Sequence, residues 1–81
     1  MLERGDVAVS LAGRDKGSLL AVTERLADGV LVCDGKARPL HNPKRKNLRH
    51  VRALGVRLSE AQLLSDRALR KALAILKGDL K

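Results

Sequence analysis

Asp6-Val7-Ala8-Val9-Ser10-Leu11, followed by Ala12-Gly13-Arg14-Asp15-Lys16-Gly17, is the stretch on which the fold of this 81-residue chain turns. Val7, Val9 and Leu11 stand two apart, so a strand places them on one face, toward a core. Asp6, Ala8 and Ser10 then take the other face. The alternation stops at a segment bracketed by Gly13 and Gly17, where glycine suits a loop needing positive φ or close backbone approach. Strand-like residues resume at Leu19. The segment therefore reads as a hairpin-like loop that displays Arg14 and Lys16, a form able to grip phosphate, although ordinary surface loops look the same.

Working outward, Ser18 to Arg25 reads as a second strand and Val30 to Cys33 as a third. The turn dipeptides Asp28-Gly29 and Asp34-Gly35 bound the third and favour an antiparallel meander. Ala37 to Leu40 supplies a short fourth strand, with Pro39 at an edge or bulge because it lacks a ladder donor. His41 to Asn47 is a polar loop. Leu48 to Leu54 is a fifth strand, in which Leu48 and Val51 break alternation and mark a bulge. So many short strands in so short a run predict a mainly β protein, a small partly open five-stranded barrel.

The period then changes. Leu69, Ala72, Leu73 and Leu76 form a helical stripe, with Arg67, Arg70, Lys71 and Lys77 largely off it. Ser65 and Asp66 provide a cap and a first-turn carboxylate for a helix from about Asp66 to Lys77, with Gly78 as its C-terminal cap. Ser59 and Gln62 form a capping-box pattern that Leu58 and Leu63 could staple, read as a separate turn. The predicted organisation is a barrel over residues 1–58 and a helical extension over 59–81 packed on it.

The chain has no Phe, Tyr or Trp, so Leu, Val, Ile and Ala must build the core. Cys33 is the single cysteine, which excludes an intramolecular disulfide or a zinc cage and suits a reducing compartment. No stretch has the apolar length of a membrane span. The expectation is a cytoplasmic protein, monomeric when free, with no membrane partner. Nothing calls for a metal or another cofactor. Cys33 with His41 or His50 is the one candidate catalytic pair, and Cys33 reads as a strand residue, so the expectation is a protein that is not an enzyme.

The formal net charge is +8. It is concentrated: from Lys36 to Leu58 there are eight basic residues (Lys36, Arg38, Lys44, Arg45, Lys46, Arg49, Arg52 and Arg57) and no carboxylate. His41 and His50 lie in the same stretch. Surfaces that only need solvating mix signs, so such a run points to an anionic partner, with a basic face that merely aids solubility as the bland alternative. Without aromatic rings to stack splayed bases, contact with phosphates and the shape of folded RNA fits better than base-by-base reading.

Gly5 to Gly17, with Leu19 to Thr23 after it, resembles the KOW motif, an alternating strand and glycine-bracketed basic loop found in SH3-like barrels. Asp34-Gly35, Arg38-Pro39-Leu40 and the run Asn42 to His50 are similar to small bacterial KOW-domain RNA-binding proteins. Those in turn resemble a KOW-bearing group of archaeal and eukaryotic large-subunit ribosomal proteins. Ser65 to Leu73 loosely matches their acid-capped helix, and residues 55–64 have no counterpart. The resemblance implies an SH3-like barrel that binds structured RNA, in particular ribosomal RNA of the large subunit. Carried onto this chain, it makes Arg14 and Lys16 the loop contacts, and Lys44, Arg45, Lys46, Arg49 and His50 a second contact stretch. The residues alone lead to a basic phosphate-binding barrel, to which Lys36, Arg38, His41 and Arg52 also belong. A protein-interaction module and a DNA-binding barrel are the alternatives.

Overall fold

The alternating run closes against its own continuation: Val7, Ala8 and Val9 pair with Ala21, Leu20 and Leu19. In the computed structural model, which describes residues 2–79, that pair is the centre of one antiparallel sheet. Its strands are β1 (Asp6–Ser10), β2 (Leu19–Arg25), β3 (Gly29–Cys33), β4 (Lys44–Asn47) and β5 (Val51–Arg57), in the order β4-β3-β2-β1-β5. A 3₁₀ turn, Leu48–His50, joins the two edge strands. The sheet curls far enough for Lys46 on β4 to touch Ser10 on β1, although two strands lie between them in the ladder order. The fold is a small SH3-like barrel with a C-terminal helix, α1 (Asp66–Asp79).

Successive strand residues point to opposite faces, and here both faces are buried. Ala8, Leu20, Val22, Val30 and Val32 fill the barrel interior. Val7, Ala21 and Cys33, on the reverse face, lie under Leu69, Ala72 and Leu73 of α1. Complete burial of Leu69 contributes roughly 1.5–3 kcal/mol. This arrangement corrects the expected facing of β1. Val7 is fully buried, but Val9 is half-buried and Leu11 is 42% exposed, whereas Ala8 and Ser10 point into the barrel. Alternation identified the strand but not the more crowded face, because the helix covers just part of one side and the narrow interior takes small residues on the other.

Three further expectations change. Ala37 to Leu40 is not a strand. The Asp34 carboxylate accepts from the amides of Lys36 (2.8 Å) and Arg38 (2.9 Å), and the Asp34 and Gly35 amides both donate to the Arg38 carbonyl. That segment folds on itself, and the fourth strand is instead Lys44–Asn47, inside the stretch read as a loop. The irregularity expected at Leu48–Val51 is a 3₁₀ turn; the register shift between β1 and β5 comes later, between the Ala8–Ala53 and Asp6–Arg57 pairs, where Gly55 has φ +79°. Gly78 lies within α1 and is not its cap.

The start of α1 agrees with the sequence. Ser65 Oγ accepts from the Ala68 amide at 3.1 Å, and Asp66 begins the helix. The Ser59 amide donates to Gln62 Oε1 while the Gln62 amide donates to Ser59 Oγ, a reciprocal cap on a 3₁₀ turn at Ala61–Leu63. Leu58 and Leu63 are both buried in the cluster under α1. Asp66 also accepts from the Leu40 amide at 2.7 Å, which ties the β3–β4 connection to the helix. Gly35 allows this docking: a Cβ there would lie 2.5 Å from the Asp66 carbonyl oxygen. Among the described residues, no helix is long and apolar enough to cross a membrane.

Candidate nucleic-acid interface

The glycine-bracketed loop continues the β1–β2 ladder by two bonds, Ser10 N to Ser18 O (3.0 Å) and Gly17 N to Ser10 O (2.8 Å). Inside it, the amides of Lys16 and Ser18 donate to the carbonyls of Gly13 and Asp15. Gly13 and Gly17 take φ of +89° and +87°. A Cβ at Gly17 would meet nothing within 4 Å, so the constraint there is the backbone dihedral and not space.

Lys46 secures this loop from the side. Its side chain is 6% exposed, and its ammonium lies 2.9 Å from Asp15 Oδ1, 2.9 Å from Ser10 Oγ and 3.0 Å from the Ala12 carbonyl oxygen. Ser10 Oγ in turn donates to Asp15 at 2.8 Å. An ammonium has three protons to donate, and all three are used. Burial acts to raise the Asp15 carboxyl, but bonds from Lys46 and Ser10, with the charges of Lys46 and Lys44, outweigh it and hold Asp15 below its ordinary range. Lys46, assigned to the contact surface from the sequence, is therefore turned into the barrel as an internal clamp. Neighbouring Arg45 is exposed, yet its guanidinium is paired with Asp28.

The other cations differ. Among the described residues, Arg14, Lys16, Lys36, Arg38, Lys44, Arg49 and Arg52 form no salt bridge. Arg14, Arg38 and Lys44 line one groove of about 540 Å³ with Asp15, Ser18 and Asp34. Lys44 also walls a second, of about 330 Å³, with Ala12, Gly13, Arg45, Lys46, Asn47 and His50. The loop, the Asp34 turn and β4 thus bring together Arg14, Arg38, Lys44 and His50, which are far apart in sequence. Lys16 and His41 are exposed but line neither groove, Arg52 lies across from Val9 on β5, and Arg49 borders a separate depression with Asp28 and Leu48. Arg70 and Lys77 on α1, passed over as ordinary off-stripe charges, line a third groove together with Lys36. Their signal was their side of the helix, which has no meaning until the helix is docked.

Cys33 is fully buried beneath α1, and burial, helped by Asp34 and Asp66, pushes its thiol up to about 11. Among the described residues, no three His, Cys, Asp or Glu side chains are placed to hold a metal ion.

Fold and surface together define a class: a small SH3-like barrel with a docked C-terminal helix and a cationic loop end. The sequence itself matches no family model and no curated protein.

Proposed function

We propose that this protein is a KOW-type RNA-binding module that attaches to structured RNA through the loop end of its barrel, with ribosomal RNA of the large subunit as the target the resemblance suggests. The observation that carries the reading is the groove lined by Arg14, Arg38 and Lys44, three cations with no salt bridge among the described residues. Free cations beside a loop already clamped in shape can neutralise phosphates without a cost of ordering that loop. Their role is phosphate neutralisation and register, with no covalent chemistry. Lys16, Lys36, Arg49, His50 and Arg52 add to the field around the groove. The protein acts as a cytoplasmic monomer in this reading.

Binding of an RNA hairpin, followed across a salt series, tests it. Each phosphate contact contributes about 0.9 to the slope of log K against log salt on a duplex, so Arg14→Ala, Arg38→Ala and Lys44→Ala together should flatten the slope by about 2.7. An unchanged slope removes the groove from the interface. Competition by a DNA duplex of matched sequence separates the DNA-binding alternative. Co-sedimentation with large ribosomal subunits through a high-salt wash tests the ribosomal target.

A further inference from the structure

The groove between α1 and the Gly17–Leu19 segment differs in character from the two cationic grooves beside it. Leu19, Leu73 and Ala74 give it apolar walls, and Lys36, Arg70 and Lys77 supply three cations along it. Its volume, about 390 Å³, lies in the range of roughly 300–1,000 Å³ that small ligands occupy. It adjoins the Arg14–Arg38–Lys44 groove, and Ser18 and Asp34 line both. Arg70 is tethered beside the groove: its Nη1 donates to the Gly35 carbonyl at 2.7 Å. In a chain without aromatic rings, a guanidinium plane is the available surface on which a base can stack. Asp34, the one carboxylate lining the groove, has Oδ1 taken by the Lys36 and Arg38 amides, and its other oxygen can accept from a base amino group.

We infer that this groove is a nucleotide subsite of the same interface, receiving one unstacked nucleotide from a bulge or loop of the bound RNA. The base lies against Leu19, Leu73 and Ala74 and is flanked by Arg70, while its phosphates face Lys36 and Lys77. The inference rests on the RNA reading above and makes it more specific: the preferred RNA is a helix interrupted by an unpaired nucleotide, because phosphate contacts alone do not distinguish it from a continuous duplex.

The test uses two RNA hairpins, one fully paired and one with a single-nucleotide bulge, titrated with the wild-type chain, Ala74→Glu and Ala61→Glu. Both alanines are exposed, and only Ala74 lines the groove. Glu is a good helix former, so Ala74→Glu fills the subsite with a carboxylate at little cost to the fold. Wild type should bind the bulged hairpin about tenfold more tightly, the scale of one base contact, and Ala74→Glu should abolish that preference while leaving the paired hairpin within about twofold. Ala61→Glu, the same change of charge away from the groove, should keep the preference. Wild-type binding that is equal on the two hairpins, or equal losses in the two variants, overturns the subsite and leaves RNA binding standing. A wild-type chain that binds neither hairpin overturns both readings.

Discussion

The two ends of β1 carry similar residue types and use them differently. At the Asp6 end, two arginines meet carboxylates and a third is bonded to carbonyls: Arg57 reaches Asp6 at 3.0 Å and Glu3 at 3.5 Å, Arg4 reaches Glu60 at 3.0 Å, and Arg25 donates to the Leu2 and Leu26 carbonyls. At the Ser10 end Asp15 is taken by buried Lys46, Asp34 accepts from the backbone amides of Lys36 and Arg38, and Arg14, Lys16 and Lys44 form no salt bridge among the described residues. One end is a neutralised surface with little stake in stability. The other joins a buried ion pair to a set of uncompensated charges. Net charge alone conceals this polarity, on which the proposed binding end rests.

The strongest way to break the comparison is Lys46→Met. It leaves Asp15 and Ser10 without their main partner in a largely enclosed place, and removing one member of such a pair costs about 2–3 kcal/mol after allowance for the part of Asp15 that meets water. The melting temperature should fall by about 10 °C or more. Adding Asp15→Leu should recover much of the loss, because an apolar replacement of both partners leaves no orphaned charge. A Lys46→Met variant that melts normally but binds RNA poorly would return Lys46 to the contact surface.

Gly17→Val should cost about 1–2 kcal/mol, since a β-branched residue is forced to positive φ, whereas Gly17→Asn should cost much less. Equal melting temperatures for the two would show that the loop can relax out of its left-handed geometry.

Acid distinguishes the ends more finely. The Arg57 bond lowers Asp6, and the Lys46 cluster leaves Asp15 lowered despite its burial, both relative to the ordinary 3.8. A carboxyl lowered in the folded state contributes stability that is complete above its unfolded value and lost as pH falls through the folded one. Melting temperature should therefore hold above that ordinary value and drop below it, and Asp15→Asn should flatten the drop more than Asp28→Asn does. The smallest effect is expected for Arg4→Ala, whose exposed pair with Glu60 is screened by water and salt. Neither melting temperature nor RNA affinity should change measurably, and a clear loss of affinity would extend the interface to the wrong end of the barrel.

Much of this architecture was legible in the chain because short-range chemistry specifies it. Alternation marked β1, apolar runs and turn dipeptides marked β2 and β3, glycines marked the positive-φ loop, and Ser65-Asp66 with a leucine stripe marked α1. β4 was not legible: Lys44-Arg45-Lys46-Asn47 has no apolar residue, and its inward position is filled by a lysine whose acceptor sits 31 positions earlier, on the β1–β2 loop. Composition placed eight cations in one stretch, but it could not divide them into clamp, paired surface and free charge. That division depends on which carboxylate each meets: strand pairing brings Asp28 to Arg45 and Asp6 to Arg57, and the curling of the sheet brings Asp15 to Lys46. Local sequence settled the elements and the sign of the surface; the tertiary fold decided where charge is left over, because pairing acts over a few ångströms of space and takes no account of distance along the chain.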